Sequence, residues 1–164
     1  MKKLYTLLTA LVIAVSAFAQ SGKDLYNKYS ELPGVSAVYV SPAMFRMIGK
    51  IPDIDMEAAN GGKVNLTPII RSMTGFYLLE ADDAQAAGRL YDEVKRLLDG
   101  KKFELLFEAK EDGEITRLFS TGSGNTVSSV ILTSKEADEF TFMCLEGKMD
   151  RDQLENILAE VAAD

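Results

Sequence analysis

Between Phe103 and Leu145 the chain is a succession of strand-length runs punctuated by turns, and this stretch limits the possible folds more than any other. Phe103, Leu105 and Phe107 alternate with Glu104 and Glu108, the two-residue period of a half-buried strand. Glu111-Asp112-Gly113 reads as a hairpin turn, and Ile115, Arg117 and Phe119 continue on a second strand. Gly122-Ser123-Gly124-Asn125 reads as another turn, followed by strands over Val127–Leu132 and Glu139–Leu145, with Gly147-Lys148 breaking the chain. Four strands joined by hairpins form an antiparallel sheet, and its apolar face needs a cover.

The rest of the chain supplies that cover. Leu25, Tyr26, Tyr29 and Leu32 fall at helical spacing over 24–32, and Pro33-Gly34 ends that helix. Val35–Val40 has strand composition. Ser41-Pro42 then reads as an N-cap with proline in the first turn of a helix carrying Met44, Phe45, Met47, Ile48 and Ile51. Residues 52–66 read as a loop, and Ile70–Glu80 as a strand. Asp82 or Asp83 caps a long helix whose apolar face is Ala84, Ala87, Leu90, Tyr91, Val94, Leu97 and Leu98, ending at Gly100. A last helix starts at Asp150, with Gln153 three positions on as in a capping box, and buries Leu154, Ile157, Leu158 and Val161. The order predicts an α+β fold: a two-layer α/β sandwich, mostly antiparallel, open-faced, with helices on one face. A split βαβ, ferredoxin-like arrangement is the nearest named geometry.

Residues 1–19 have the form of a signal peptide. Lys2 and Lys3 precede a largely apolar run from Leu4 to Phe18, and Ala17-Phe18-Ala19 is an A-x-A cleavage signal. The run spans 15 positions, short of the roughly 20 that cross a bilayer. The expectation is a single domain over 20–164, exported and then periplasmic or secreted, with membrane contact only through the export signal. Cleavage also removes Lys2 and Lys3 from a chain that already carries a formal net charge of -7. So acidic a surface argues against a nucleic-acid partner. With no His, zinc sites built on imidazole, Ser-His-Asp triads and Cys-His pairs are excluded. A single Cys excludes an internal disulfide, so the fold depends on its apolar core.

Gly34-Val-Ser-Ala-Val-Tyr-Val-Ser41-Pro42 followed by Met44-Phe45 resembles the opening of the DUF4252 family, small exported proteins of Bacteroidetes. The segment Ile70-Arg71-Ser72-Met73, the helix carrying Leu90-Tyr91 and the strand Phe103-Glu104-Leu105-Leu106 resemble that family too. So do the turn Glu111-Asp112-Gly113 and the junction from Leu145-Glu146-Gly147 to Asp150. The resemblance spans about 22–161. It implies no catalytic residue and no cofactor. Some members look like lipoproteins, and this chain departs from them in having no lipid-accepting Cys near the cleavage signal.

The remaining polar residues have structural readings. Cys144 shares a face with Phe140 and Phe142 and reads as a buried, inert thiol. Asp53, Asp55 and Glu57 lack the glycine and terminal glutamate of a calcium loop. Glu104 and Glu108 lie about 13 Å apart along a strand, too far for a glycosidase pair at about 5–9.5 Å. They invite a cross-strand partner such as Arg117 instead. The Gly122–Asn125 turn is followed by no basic phosphate-binding residue, and Asn65-Leu66-Thr67 is a formal glycosylation sequon.

Met44, Phe45, Met47 and Ile48 stand apart, because four large apolar groups within five positions overfill one helix face, and Met suits adaptable surfaces. They form a candidate interaction surface, to which Leu106 or Leu118 on the open side of the sheet would add, or pair in a homodimer. The functional expectation is a non-enzymatic interaction or accessory module of the cell envelope with a protein partner. The alternatives are a carrier for a small apolar ligand, in a pocket lined by Met44, Phe45 and Phe76, and a carboxylate-based enzyme.

Overall fold

A computed structural model describes residues 21–51, 54–57, 61–100 and 102–162. The expected signal peptide, Gln20, Pro52, Asp53, Asn60 and the side chain of Val161 lie outside the described residues.

In chain order the elements are α1 (Gly22–Tyr29), β1 (Val35–Val40), α2 (Pro42–Ile48), β2 (Asp55–Glu57), β3 (Lys63–Asn65), α3 (Thr67–Ser72) and β4 (Met73–Ala81). They continue with α4 (Ala84–Asp99), β5 (Glu104–Glu111), β6 (Glu114–Ser123), β7 (Thr126–Lys135), β8 (Phe140–Asp150) and α5 (Arg151–Ala162). The main sheet has six strands in the order β1-β4-β8-β7-β6-β5, with every neighbouring pair antiparallel. The expected α+β architecture, a multistranded antiparallel sheet with helices packed on a face of it, is present. The expected hairpin turn is there as well: Asp112 at φ 47° and Gly113 at φ 91° give the two left-handed residues that a tight hairpin requires.

The caps follow their local chemistry. Ser21 and Asp24 close a capping box on α1. The Ser41 hydroxyl accepts from the Met44 N–H at 3.2 Å, and Asp83 accepts from the Gln85 and Ala86 N–H groups, both at 2.9 Å. Asp150 accepts from the Gln153 N–H at 3.0 Å.

Three expectations change. Residues 52–66, read as loop, contain the short hairpin β2–β3. Ile70–Ser72 is not strand but the end of α3. Thr67 seeds this turn: its N–H donates to the Asn65 side chain at 2.8 Å, and its buried hydroxyl accepts from the Ile54 N–H at 2.9 Å. Those bonds occupy the sequon residues structurally. Gly147-Lys148 does not end β8, which runs on to Asp150. Gly147 sits where β4 and β8 shift register, and a Cβ there would strike the Ser72 carbonyl. The glycine marks close backbone approach within a strand, not a break.

The core lies mainly on one sheet face, under α1 and α4. Leu25, Leu79, Leu90, Ile131, Phe142 and Cys144 are fully enclosed there. Glu93 on α4, itself buried, accepts from Lys28 of α1 at 2.9 Å and from Arg96 at 2.8 Å, which ties the two helices together. A smaller cluster of Ile69, Val127, Val130 and Met149, with Leu154 and Ile157, seats α3 and α5 against one end of the opposite face.

Helix α1 approaches β8 so closely that only a glycine fits. A Cβ on Gly22 would lie 2.5 Å from Cys144 Sγ. Gly22→Ala is therefore expected to cost about 1–3 kcal/mol by overpacking. Gly88, exposed in mid-α4 with open space around its Cα, is the control: Gly88→Ala should add about 0.5–1 kcal/mol through helix propensity. Urea denaturation of both variants checks the pair of opposite signs.

Candidate functional site

Cross-strand register places one apolar residue from each strand in a single line. Val38 faces Leu78, Leu78 faces Met143, Met143 faces Leu132, Leu132 faces Leu118, and Leu118 faces Phe107. Directly opposed residues share a face, so this row crosses the whole sheet on the side away from α1 and α4. At strand spacing it spans about 24 Å. Val38 and Phe107 at its ends are 46% and 53% exposed, and the inner four are half-buried. One flanking row, Val40-Phe76-Leu145-Val130, runs toward the cluster under α3 and α5. The other, Ser36-Glu80-Thr141-Ser134-Thr116, is polar. An apolar strip edged by polar groups has the make-up of an interface core and its rim.

A register shift between Leu105 and Phe107 completes the row. Strict alternation would put Leu105 and Phe107 on one face, with Glu104 and Glu108 together on the other. The bulge corrects this expectation. Leu105 pairs with Phe119 on the helix-covered face, and Phe107 pairs with Leu118 on the open one. Glu104 and Glu108 are likewise divided. An extra residue in a strand reverses the facing of all that follows. Leu118, which the sequence places on the open side, lies in this row next to Phe107 at its β5 end.

The four residues singled out on α2 divide by helical spacing. Phe45, 7% exposed, and half-buried Ile48 lie three positions apart and turn inward. Met44 and Met47, also three apart, are 47% and 66% exposed. Two of the four are thus available on the surface.

A cleft of about 330 Å³ opens on the other face, beside α4, where β5 and β6 extend past the helix. Val94, Leu98, Leu105, Phe119 and Phe140 form its apolar walls. The sequence pointed to Met44, Phe45 and Phe76 for such a space, and none of them lines it. At its polar end Arg117 Nε donates to Glu108 Oε2 at 2.7 Å, the cross-strand partnership expected from the sequence. Lys110 Nζ lies 2.9 Å from Glu108 Oε1. Hydrogen bonds from Lys110 and Arg117 hold the Glu108 carboxyl below its usual range. Lys135 Nζ stands 4.6 Å from the centre of the Tyr91 ring.

Other chemistry-bearing groups have structural roles. Burial pushes the Cys144 thiol up to about 12, and its Sγ lies 3.4 Å from Ser129 Oγ. Tyr26, Tyr39 and Tyr77 meet with ring centroids 5.3 to 5.9 Å apart, and burial raises the Tyr77 hydroxyl to about 12. Burial also raises the Glu146 carboxyl, against the N–H groups of Gly22 and Lys23 that donate to it. Of the acidic residues near the β2–β3 hairpin, Asp53 and the side chain of Glu57 lie outside the described residues. Among the described residues no group of three or more Cys, Asp or Glu side chains is arranged to hold a metal ion. None of the described helices is long and apolar enough to cross a membrane.

A family profile described as a domain of unknown function, DUF4252, matches residues 29–157. No curated protein and no solved structure matches the chain.

Two measurements test the region where α1 meets β8. Cys144 should react with a thiol reagent such as DTNB only on unfolding, with a rate that follows denaturant. Glu146 binds its proton more readily folded than unfolded, so its contribution to stability falls as pH rises through its raised native value. Thermal melts should show the wild type gaining on Glu146→Gln as the pH falls from neutrality toward the ordinary carboxylate range. A constant difference between the two would remove burial as the cause.

Proposed function

The chain belongs to the DUF4252 family, and we propose that it is a non-enzymatic interaction module of the cell envelope that docks a protein partner on the open face of its sheet. The observation that carries this reading is the in-register apolar row Val38-Leu78-Met143-Leu132-Leu118-Phe107, exposed at Val38 and Phe107 and only half-buried between them, with Leu118 reaching the cluster beneath α3 and α5. An apolar strip left partly open to water is costly in a soluble monomer and is characteristic of a contact surface. The occupant it suits is an envelope protein that presents a complementary apolar strip. The polar row at its edge would fix orientation through hydrogen bonds. Met44 and Met47 add adaptable apolar surface on α2.

Export to the periplasm or beyond rests on the segment 1–19, and the absence of His from the whole sequence leaves no imidazole for acid–base catalysis. The β4–α4–β5 crossing joins two strands of the same direction across one face with β8, β7 and β6 between them, a wider crossing than that of the ferredoxin-like split βαβ unit.

Site-specific photo-crosslinking in cells tests the docking face. A photoreactive residue replacing Val38 or Phe107 should give one adduct of reproducible mass, and the same residue replacing exposed Arg89 on α4 should not. Leu118→Ser with Leu132→Ser should abolish the adduct while the circular dichroism spectrum is retained. Equal adducts from both faces, or none, would overturn the proposal. An adduct of twice the monomer mass would mean that a second copy is the occupant.

A further inference from the structure

The cleft beside α4 lies on the face opposite the docking row and is independent of it. Its walls are apolar, yet its open end is where cations gather on an otherwise acidic chain. Lys95 and Arg117 line it together with Asp99 and Glu108. Register then places Lys110 and Lys135 beside Ile115, on the same face as Arg117 and one row further out. The two additional lysines give this end a cationic excess, in a protein of formal net charge -7. A trough whose length is apolar and whose mouth is cationic fits one class of ligand.

We propose that this cleft binds a small amphiphilic anion, an aliphatic or aromatic chain carrying a terminal carboxylate. The chain lies along Val94, Leu98, Leu105 and Phe119. Burying it against those walls supplies the apolar part of the affinity. The headgroup meets the Arg117 guanidinium. Its Nε–H is held by Glu108, and Nε is only one of the donor atoms of its five-donor fork, which can also meet ligand oxygens. The Arg117 side chain is one-third exposed, so an anion reaches it without unfolding the wall. Glu108 already accepts from both Lys110 and Arg117. It occupies the place an incoming carboxylate would share, and so acts as an internal competitor that weakens anion binding. The volume, about 330 Å³, is at the lower end of small-molecule sites.

Calorimetric titration of the purified protein with decanoate, decanol and decyltrimethylammonium tests the class directly. Decanoate is expected to bind most tightly, and its affinity to fall as salt is added. Arg117→Gln should weaken decanoate by roughly tenfold and leave decanol nearly unchanged. Glu108→Gln should shift decanoate the opposite way, tightening it several-fold, and it serves as the second readout where Arg117→Gln lowers the melting temperature. Decanoate binding no tighter than decanol overturns the proposal. So does preference for the cationic amphiphile, or a decanoate affinity that neither variant moves.

Discussion

Strand β8 is the constraint on which the other elements depend. Its neighbours on both sides, β4 and β7, are long antiparallel strands, and its two faces belong to the two packed clusters. Phe140, Phe142 and Cys144 point to α1 and α4, whereas Leu145 and Met149 reach the cluster beneath α3 and α5. Slipping its register by one residue would exchange those two sets. It would also turn Phe142, which has no solvent exposure, out to water. The first turn of α1 is positioned by the same strand, through Gly22 against Cys144 and through the Gly22 and Lys23 N–H groups on Glu146.

Because β8 is central, the helices cannot cover everything. Helices α1 and α4 lie over β4, β8 and part of β7, leaving the outer end of that face beyond α4 open as a cleft. Helices α3 and α5 cover one end of the other face, leaving the apolar row beside them only partly covered. Both candidate sites are thus the margins of an incomplete cover over a six-stranded sheet. They differ in chemistry. The open row is apolar with a polar edge, which suits a broad protein contact. The cleft is a narrow apolar trough with an ion-paired mouth, which suits a small ligand.

Much of this was legible locally. Capping residues Ser41, Asp83 and Asp150 bond their own helices, the Asp112-Gly113 turn needs only its left-handed pair, and α4 announces itself by spacing. Cys144 was legible as core because alternation alone puts it beside Phe142. What failed was non-local. The apolar run Ile70–Glu80 looks like one strand, but Thr67 is drawn into a helical turn by bonds to Asn65 and Ile54. No periodicity marks the bulge at Leu106. Its only trace was three consecutive large apolar residues, Leu105-Leu106-Phe107, where alternation allows fewer. On α2 the sequence identified an overfilled helix, and only the packing decided that Phe45 is the residue that enters and Met47 the one that stays outside.

The sequence by itself determined the class of fold, the sites of its turns and caps, the exclusion of imidazole chemistry and the membership of one family. Those properties are written in neighbouring residues or in composition. Tertiary structure decided which apolar residues line up across strands, which of them are left uncovered, and where a cleft remains. They depend on register between segments distant in sequence: Val38 and Phe107 end the same row because four strands lie between theirs. A single bulge changes the facing of every residue beyond it, so no local pattern carries that information.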